Sequence, residues 1–260
     1  MVQALEGSVT PDPRDRFSGR VEDYARYRPR YPRALVSVLH EEIGLTPDWR
    51  VADIGSGTGL SAEPFLANGN TVFGIEPNGS MRAAAESILA DRPGFISVAG
   101  AAERTSLADR SVDLVFAAQA FHWFDVKASR AEFGRILEPR GWVSLVWNTR
   151  KVASTPLLRD YEELLRRFGT DYERVRHDTR RDSLLSDFFS DGFARRVLDN
   201  YQDLDRKEFH GRVLSSSYTP EAGDPRRPIL LQQLGQIFEE HQRDGTIRFD
   251  YDMEIYFGRI

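Results

Sequence analysis

The stretch Arg50 to Gly59 constrains this chain more than any other: a short apolar run, Arg50 to Ile54, opens directly into Gly55, Ser56, Gly57, Thr58 and Gly59, and a helical stretch follows. Glycines at a strand end let the backbone turn tightly and let a ligand approach main-chain N–H groups at a helix N-terminus. Such a loop carries meaning only between a strand and a helix, and the flanking pattern supplies both. Leu35, Val38 and Leu39 recur at helical spacing before it. After it the pattern predicts a helix over Leu60 to Ala67, a strand over Thr71 to Ile75, a helix over Ser80 to Leu89 and a strand over Gly94 to Val98. Val112 to Ala117 reads as a buried strand, Lys127 to Leu137 as a helix, and Trp142 to Trp147 as a strand opened by the turn Pro139 to Gly141. Strands alternating with helices imply right-handed crossovers and a parallel sheet covered on both faces, the doubly wound α/β class.

Beyond Asn148 the composition changes. Thr155 to Gly169 and His177 to Phe189 read as helices rich in arginine and aromatics, Ala194 to Tyr201 as a strand, and Glu208 to Ser216 and Ile229 to Arg243 as helices. Asp244 and Gly245 form a hairpin-type turn signal. The alternation of Ile247, Phe249, Tyr251, Met253, Ile255 and Phe257 then predicts a half-exposed antiparallel edge strand. Residues 1–16, with Gly7, Pro11 and Pro13, read as a flexible leader, with order beginning near Phe17. Residues 17–260 read as a single domain.

The 260 residues, 40% hydrophobic, suffice for one good-sized core. A net charge of −5, mixed in sign along the chain, argues against a nucleic-acid surface. With no cysteine, thiolate metal sites, disulfides and a cysteine nucleophile are excluded, and no metal is expected. No apolar run approaches the roughly 20 residues of a membrane span. A cytoplasmic location, as monomer or homodimer, is the expectation.

Glu76 closes the second strand about twenty residues after the first, where an open α/β sheet places a carboxylate against ribose hydroxyls. A nicotinamide fingerprint would need glycine or alanine at Leu60, and the third glycine instead comes one residue early, at Gly59. An acid at Asp53 would repel a pyrophosphate and suits a ligand whose nearest polar part is an amino acid.

At these residues the chain resembles the class I S-adenosylmethionine-dependent methyltransferases, over roughly Tyr31 to Trp147. The first motif of that family is matched by Val51 to Gly59, its ribose-binding acid by Glu76, its adenine-side motif by Gly100, Ala101, Ala102 and Glu103, and its fourth motif by Val112 to Phe116 with Ala118 to Phe124. The resemblance implies a seven-stranded Rossmann-like sheet and S-adenosyl-L-methionine as cofactor. It implies that Asp53 orients the methionine end, that Gly55, Ser56, Gly57 and Gly59 pack against it, and that Glu76 binds the ribose. Pro77, Met81, Ala102, Glu103, Gln119 and Trp123 complete the implied cofactor set. Where many relatives carry an aspartate this chain has Ala101, so the adenine would be read by backbone N–H groups near Ala102 and Glu103.

Methyl transfer from a sulfonium is an in-line displacement, so alignment in a dry cavity is the main demand, and a base is needed only where the acceptor must lose a proton. Gln119 and His122 follow the fourth strand and are the candidate catalytic residues; a histidine placed like His122 is more often a packed loop residue than a base, and Trp123 reads equally as a cation–π cover for the sulfonium or as core. Tyr24, Tyr27 and Arg28 lie in a stretch, 17–32, similar to the N-terminal lid of many relatives, and a helical substrate-side insertion is expected over about 148–190. Within the family, Tyr27 to Pro32 and Gln119 to Phe124 look most similar to the trans-aconitate methyltransferase-like, type 11 branch. That resemblance implies a small acceptor bearing a carboxylate, with Arg28 or Arg150 as partner and Tyr24, Tyr27 and Trp147 nearby. A tRNA or protein methyltransferase and a non-catalytic binder of the cofactor are the competing readings.

Overall fold

A computed structural model describes residues 21–170, 172, 181–189, 191–216 and 218–260; the leader expected over 1–16, Phe17, and His177 to Arg180 lie outside them. Helices α1 (Val21–Tyr27) and α2 (Ala34–Ile43) lead into β1 (Arg50–Ile54), α3 (Glu63–Asn68), β2 (Thr71–Ile75), α4 (Gly79–Ile88), β3 (Phe95–Val98) and β4 (Val112–Ala118). A 3-10 turn (Phe121–Trp123) precedes α5 (Val126–Ile136) and β5 (Leu137–Arg150), followed by α6 (Pro156–Phe168), α7 (Arg181–Phe188) and β6 (Phe193–Leu204). The chain continues through α8 (Arg206–Leu214), α9 (Arg226–His241) and β7 (Ile247–Gly258).

The seven strands form one sheet in the order β3-β2-β1-β4-β5-β7-β6. Neighbours from β3 to β5 are parallel, and β7 runs antiparallel to both β5 and β6. Strand order reverses between β1 and β4, where a crevice opens beyond the carboxyl ends of the strands. The period of two divides each strand between the faces. Val51, Leu114, Phe116 and Val146 pack with Leu35 and Leu39 of α2 and Phe65 of α3. Ala52, Ile54, Val115 and Leu145 pack with Phe133 of α5 and Leu185 and Phe188 of α7.

β7 is the antiparallel strand expected near the C-terminus, and it lies one position in from the rim, with β6 outside it. Its second half is buried on both faces rather than half-exposed. The polar alternate there, Glu254, is buried because Arg181 and Arg195 pair with it at 2.7 and 2.6 Å and Thr149 donates to it at 2.7 Å. Asp244 and Gly245 both adopt positive φ, as a hairpin-type turn requires, yet this turn joins α9 to β7 instead of two strands.

Strands β5, β6 and β7 are 14, 12 and 12 residues long and overrun the parallel strands. On their overhang sits a third core, in which Leu158, Tyr161 and Leu165 of α6, Phe209 and Val213 of α8, and Leu234 and Phe238 of α9 pack on Ile247, Phe249 and Tyr251. The helical elaboration thus draws on segments beyond 148–190. Two starts within it are set by capping: Thr155 Oγ1 accepts from Leu158 N–H at 3.2 Å, with Pro156 in the first turn, and Asp205 and Glu208 form a reciprocal capping box. Among the described residues no helix is long and apolar enough to cross a membrane.

Candidate cofactor and acceptor site

At the crevice between β1 and β4 lies a cavity of about 450 Å³. It is lined by Tyr24, Gly55, Gly57, Glu76, Pro77, Asn78, Met81, Ala101, Ala102, Glu103, Ala118, Gln119, Ala120, Trp123, Phe124 and Asp125. That size falls in the range that holds a small-molecule ligand. A hollow of about 600 Å³ on the outer side of α9, beside Arg206, shares no residue with it and offers no strand end.

The floor is the glycine loop. Gly55 and Gly57 have φ of 68° and 55°, the left-handed region that side chains disfavour. A Cβ on Gly55 would sit 2.6 Å from Ala120 Cβ, so this glycine lets β1 and β4 close on each other. A Cβ on Gly57 would meet nothing nearer than Tyr24 Cε1 at 4.0 Å, so Gly57 faces open cavity. Gly59 and Ser56 are supports instead: Gly59 packs against Leu89, and Ser56 is buried outside the lining.

Glu76 stands at the end of β2 with both oxygens engaged by backbone. Gly57 N–H donates to Oε2 and Asn78 N–H to Oε1, each at 2.9 Å. Burial raises its pKa, and these two bonds pull against the rise. Each carboxylate oxygen retains a second lone pair for a ligand hydroxyl. Asn78 in turn caps α4 through Met81 N–H at 3.0 Å, which fixes Met81 in the cavity wall.

Asp53 is fully buried at the end of β1, behind the loop and outside the lining. Ser61 Oγ donates to Oδ2 at 2.6 Å, while Oδ1 has no hydrogen-bond partner among the described residues. Burial pushes its pKa up to about 7, the Ser61 bond opposes this, and Glu76 adds to it. A buried carboxylate with an orphaned oxygen is stabilised by a cation, and the ammonium of an amino-acid ligand is one.

Opposite the floor, Ala101 and Arg104 exchange two backbone bonds of 3.1 and 3.0 Å, which makes Ala102 and Glu103 the tip of a turn against the cavity. Among the described residues, the backbone bonds of this turn use the N–H groups of Ala101 and Arg104 and not those of its tip. The Glu103 carboxylate is committed elsewhere, accepting from Asp125 N–H at 2.9 Å. Gln119 lines the cavity with φ of 57°, a strained conformation for a residue other than glycine. Its Nε2 donates to Asn148 O at 3.0 Å.

The structure gathers Gly55, Gly57, Glu76, Pro77, Met81, Ala102, Glu103, Gln119, Trp123 and Tyr24 around one space. It does not bring His122 there: that residue is exposed, and its ring lies against Trp123 at 4.6 Å. Trp147 is corrected from acceptor side to core. Strand alternation turns it away from Asn148 and Arg150 toward Phe121 and Tyr256, with the Arg181 guanidinium over its ring at 4.8 Å. Tyr27 is likewise packing: it is buried over Gly211, where even a Cβ would sit 2.1 Å from the ring. Arg28 and Arg150 lie beyond the lining, half-buried beside the helical elaboration, where Arg28 donates to Ser215 O and Arg150 to Glu162. Asn78, Phe124 and Asp125 belong to the lining without having been singled out. Of these Asn78 was readable, since an asparagine before Gly79 and Ser80 is a helix N-cap signal.

A family model described as a methyltransferase domain matches residues 52–145. An uncharacterized methyltransferase of Mycobacterium tuberculosis is 36% identical over 134 residues, 52% of this chain and 52% of that protein. An uncharacterized methyltransferase-like protein of Schizosaccharomyces pombe is 30% identical over 156 residues, 60% of this chain and 59% of its own. The chain spans about half the length of the curated relatives it matches. Among solved structures, a provisionally assigned type II methyltransferase from Anaeromyxobacter dehalogenans superposes with a TM-score of 0.66 over 90% of this chain and 98% of that one, at 23% identity, a likeness of fold. The match runs from the strand that carries the glycine loop into β5, so this part of the chain is similar to methyltransferase domains, and its fold is that of a solved methyltransferase-like structure.

Proposed function

We propose that the chain is an enzyme that transfers the methyl group of S-adenosyl-L-methionine to a small-molecule acceptor bearing a carboxylate. The observation that carries this reading is the open face of Gly57 beside Glu76, whose carboxylate is oriented by two backbone N–H groups at the cavity edge. A side chain at position 57 would occupy that face.

Glu76 would take the ribose hydroxyls, Gly55 and Gly57 the adjoining backbone, the Ala102–Glu103 tip the adenine, and Asp53 the ammonium. When bound, the cofactor supplies a methyl group on a cationic sulfur, whose transfer to a carboxylate oxygen breaks a C–S bond, forms a C–O bond and neutralises both partners with no proton to move. A carboxylate is ionised at neutral pH, so this chemistry asks no base of the protein. Trp123, Phe124 and Tyr24 then serve to exclude water, and Gln119 to hold the inner wall against β5.

The test is incubation of the protein with labelled S-adenosylmethionine and an extract of small metabolites, with identification of the labelled product. A base-labile methyl ester on a small acid supports the reading. Cofactor binding without transfer to any small molecule would indicate a binder or an enzyme for macromolecules.

A further inference from the structure

Gln119, the first residue past β4, holds a backbone conformation that its residue type disfavours. Its N–H donates to Val146 O at 2.9 Å and continues the pairing of β4 with β5 by one residue, and there the chain turns off the sheet with φ of 57°. Four residues other than glycine have positive φ among those described, and of these Gln119 alone lines the cavity. A glycine would adopt this backbone without strain. A glutamine here costs stability, and strain of this kind collects where a side chain has a task in a site.

The orientation of its amide is fixed. Nε2 donates to Asn148 O at 3.0 Å, and because a carbonyl oxygen only accepts, the nitrogen must face β5 and the oxygen must face away from it. Among the described residues Oε1 has no hydrogen-bond partner, and unlike Asp53 Oδ1 it is not sealed from solvent. The open space that Gln119 borders is the cavity, so a carbonyl oxygen with both lone pairs unused faces it.

That oxygen stands where two subsites meet. Glu76 and the Ala102–Glu103 tip form the part of the wall assigned above to the adenosyl group, and Asp53 lies behind the glycine loop at the part assigned to the amino acid. The end of β4 closes on that loop, since a Cβ on Gly55 would sit 2.6 Å from Ala120 Cβ. Of the three lining residues there, Ala118, Gln119 and Ala120, the glutamine has the one polar side chain. A ligand that spans both subsites carries its connecting atom past this position.

We propose that Gln119 Oε1 receives the sulfonium methyl group of S-adenosylmethionine through C–H···O contacts, and that Gln119 is thereby the residue that distinguishes the charged cofactor from the neutral thioether left after transfer. The inference rests on the methyltransferase reading and deepens it. A positive sulfur polarises the C–H bonds beside it, and the negative end of a carbonyl dipole attracts both those hydrogens and the charge. The bond to Asn148 O keeps the amide from turning its N–H groups inward, where they would repel the cation.

The test is calorimetric titration of the full chain and of Gln119→Leu with three ligands that differ at one group: S-adenosylhomocysteine, S-adenosylmethionine, and sinefungin, in which an amine replaces the sulfonium methyl. Expected in the variant is S-adenosylhomocysteine affinity within about twofold of the wild type, S-adenosylmethionine affinity reduced about threefold, and sinefungin affinity reduced at least about tenfold. That order follows the loss of no hydrogen bond, of a C–H contact and of a charged N–H bond. Equal losses for all three ligands would assign Gln119 to the wall alone and overturn the proposal, as would sinefungin bound equally well by variant and wild type. Gln119→Gly, free of the positive-φ strain, is expected to give the same order and decides the matter where Gln119→Leu fails to fold. A wild type that binds none of the three ligands sinks the methyltransferase reading itself, and the role of Gln119 with it.

Discussion

Glu76 and Gly57 are joined by a 2.9 Å hydrogen bond in which the backbone of the glycine loop donates to the strand-end carboxylate. The bond orients the acid and pins the loop at once, so a change at either partner disturbs both. Glu76→Gln keeps the shape but turns one acceptor oxygen into a donor facing Gly57 or Asn78. Cofactor affinity is expected to fall by about 1.5–3 kcal/mol, the cost of a lost charged hydrogen bond. Titration with S-adenosylhomocysteine measures this, and an unchanged affinity would mean that the ribose binds elsewhere.

Asp53 ties stability to pH. Its folded-state pKa of about 7 lies above the ordinary value of 3.8, so its favourable contribution is complete below about pH 4 and is lost as pH rises through 7. Asp53→Asn cannot titrate, and its amide oxygen can still accept from Ser61. The variant is expected to unfold at higher temperature than the wild type at pH 8, by a margin on the order of a few kcal/mol, and to show no advantage at pH 4. Thermal melts across this range decide it, and a wild-type curve that is flat between pH 4 and 8 would contradict the raised pKa. The same variant is expected to bind S-adenosylhomocysteine more weakly, having lost the partner for its ammonium.

Two glycines of one loop are expected to fail differently. In Gly55→Ala the new methyl meets Ala120 Cβ at 2.6 Å, and both the clash and the positive φ cost stability, about 1–3 kcal/mol together. In Gly57→Ala the methyl enters open space, so the chain loses about 1 kcal/mol through φ alone, while the cavity loses its open face. Denaturant unfolding should rank Gly55→Ala as the less stable, and Gly57→Ala should show the larger loss of cofactor affinity relative to its loss of stability.

His122 is exposed and absent from the cavity lining. His122→Ala is therefore expected to keep methyl transfer within about threefold of the wild type, well short of the roughly hundredfold that removal of a general base costs. A loss of that larger size, with unchanged cofactor binding, would return this histidine to the reaction.

Local spacing made part of this molecule legible. β1 and β2 occupy Arg50–Ile54 and Thr71–Ile75, the bounds their apolar runs predict, because glycines and a strand-end acid punctuate both. Gly55, Gly57 and Glu76 were readable for the same reason, as a loop and an acid one βαβ unit apart. The burial of Arg212 was not: its partner Tyr251 lies on β7, and nothing within α8 distinguishes it from a surface arginine. The role of Trp147 depends on the phase of β5, set by pairing with β7 over Val143 to Arg150, a long-range register that no local window contains. Half-exposure of β7 was a fair inference from alternation, and ion pairs at Glu254 overrode it.

A single row of side chains on β7, from Ile247 through Tyr251 to Phe257, begins under α6, α8 and α9 and ends under α2 and α3. The strand is a shared girder, so the helices packed on its overhang are no detachable module. Grafting a different helical layer from a relative would have to splice the middle of three paired strands.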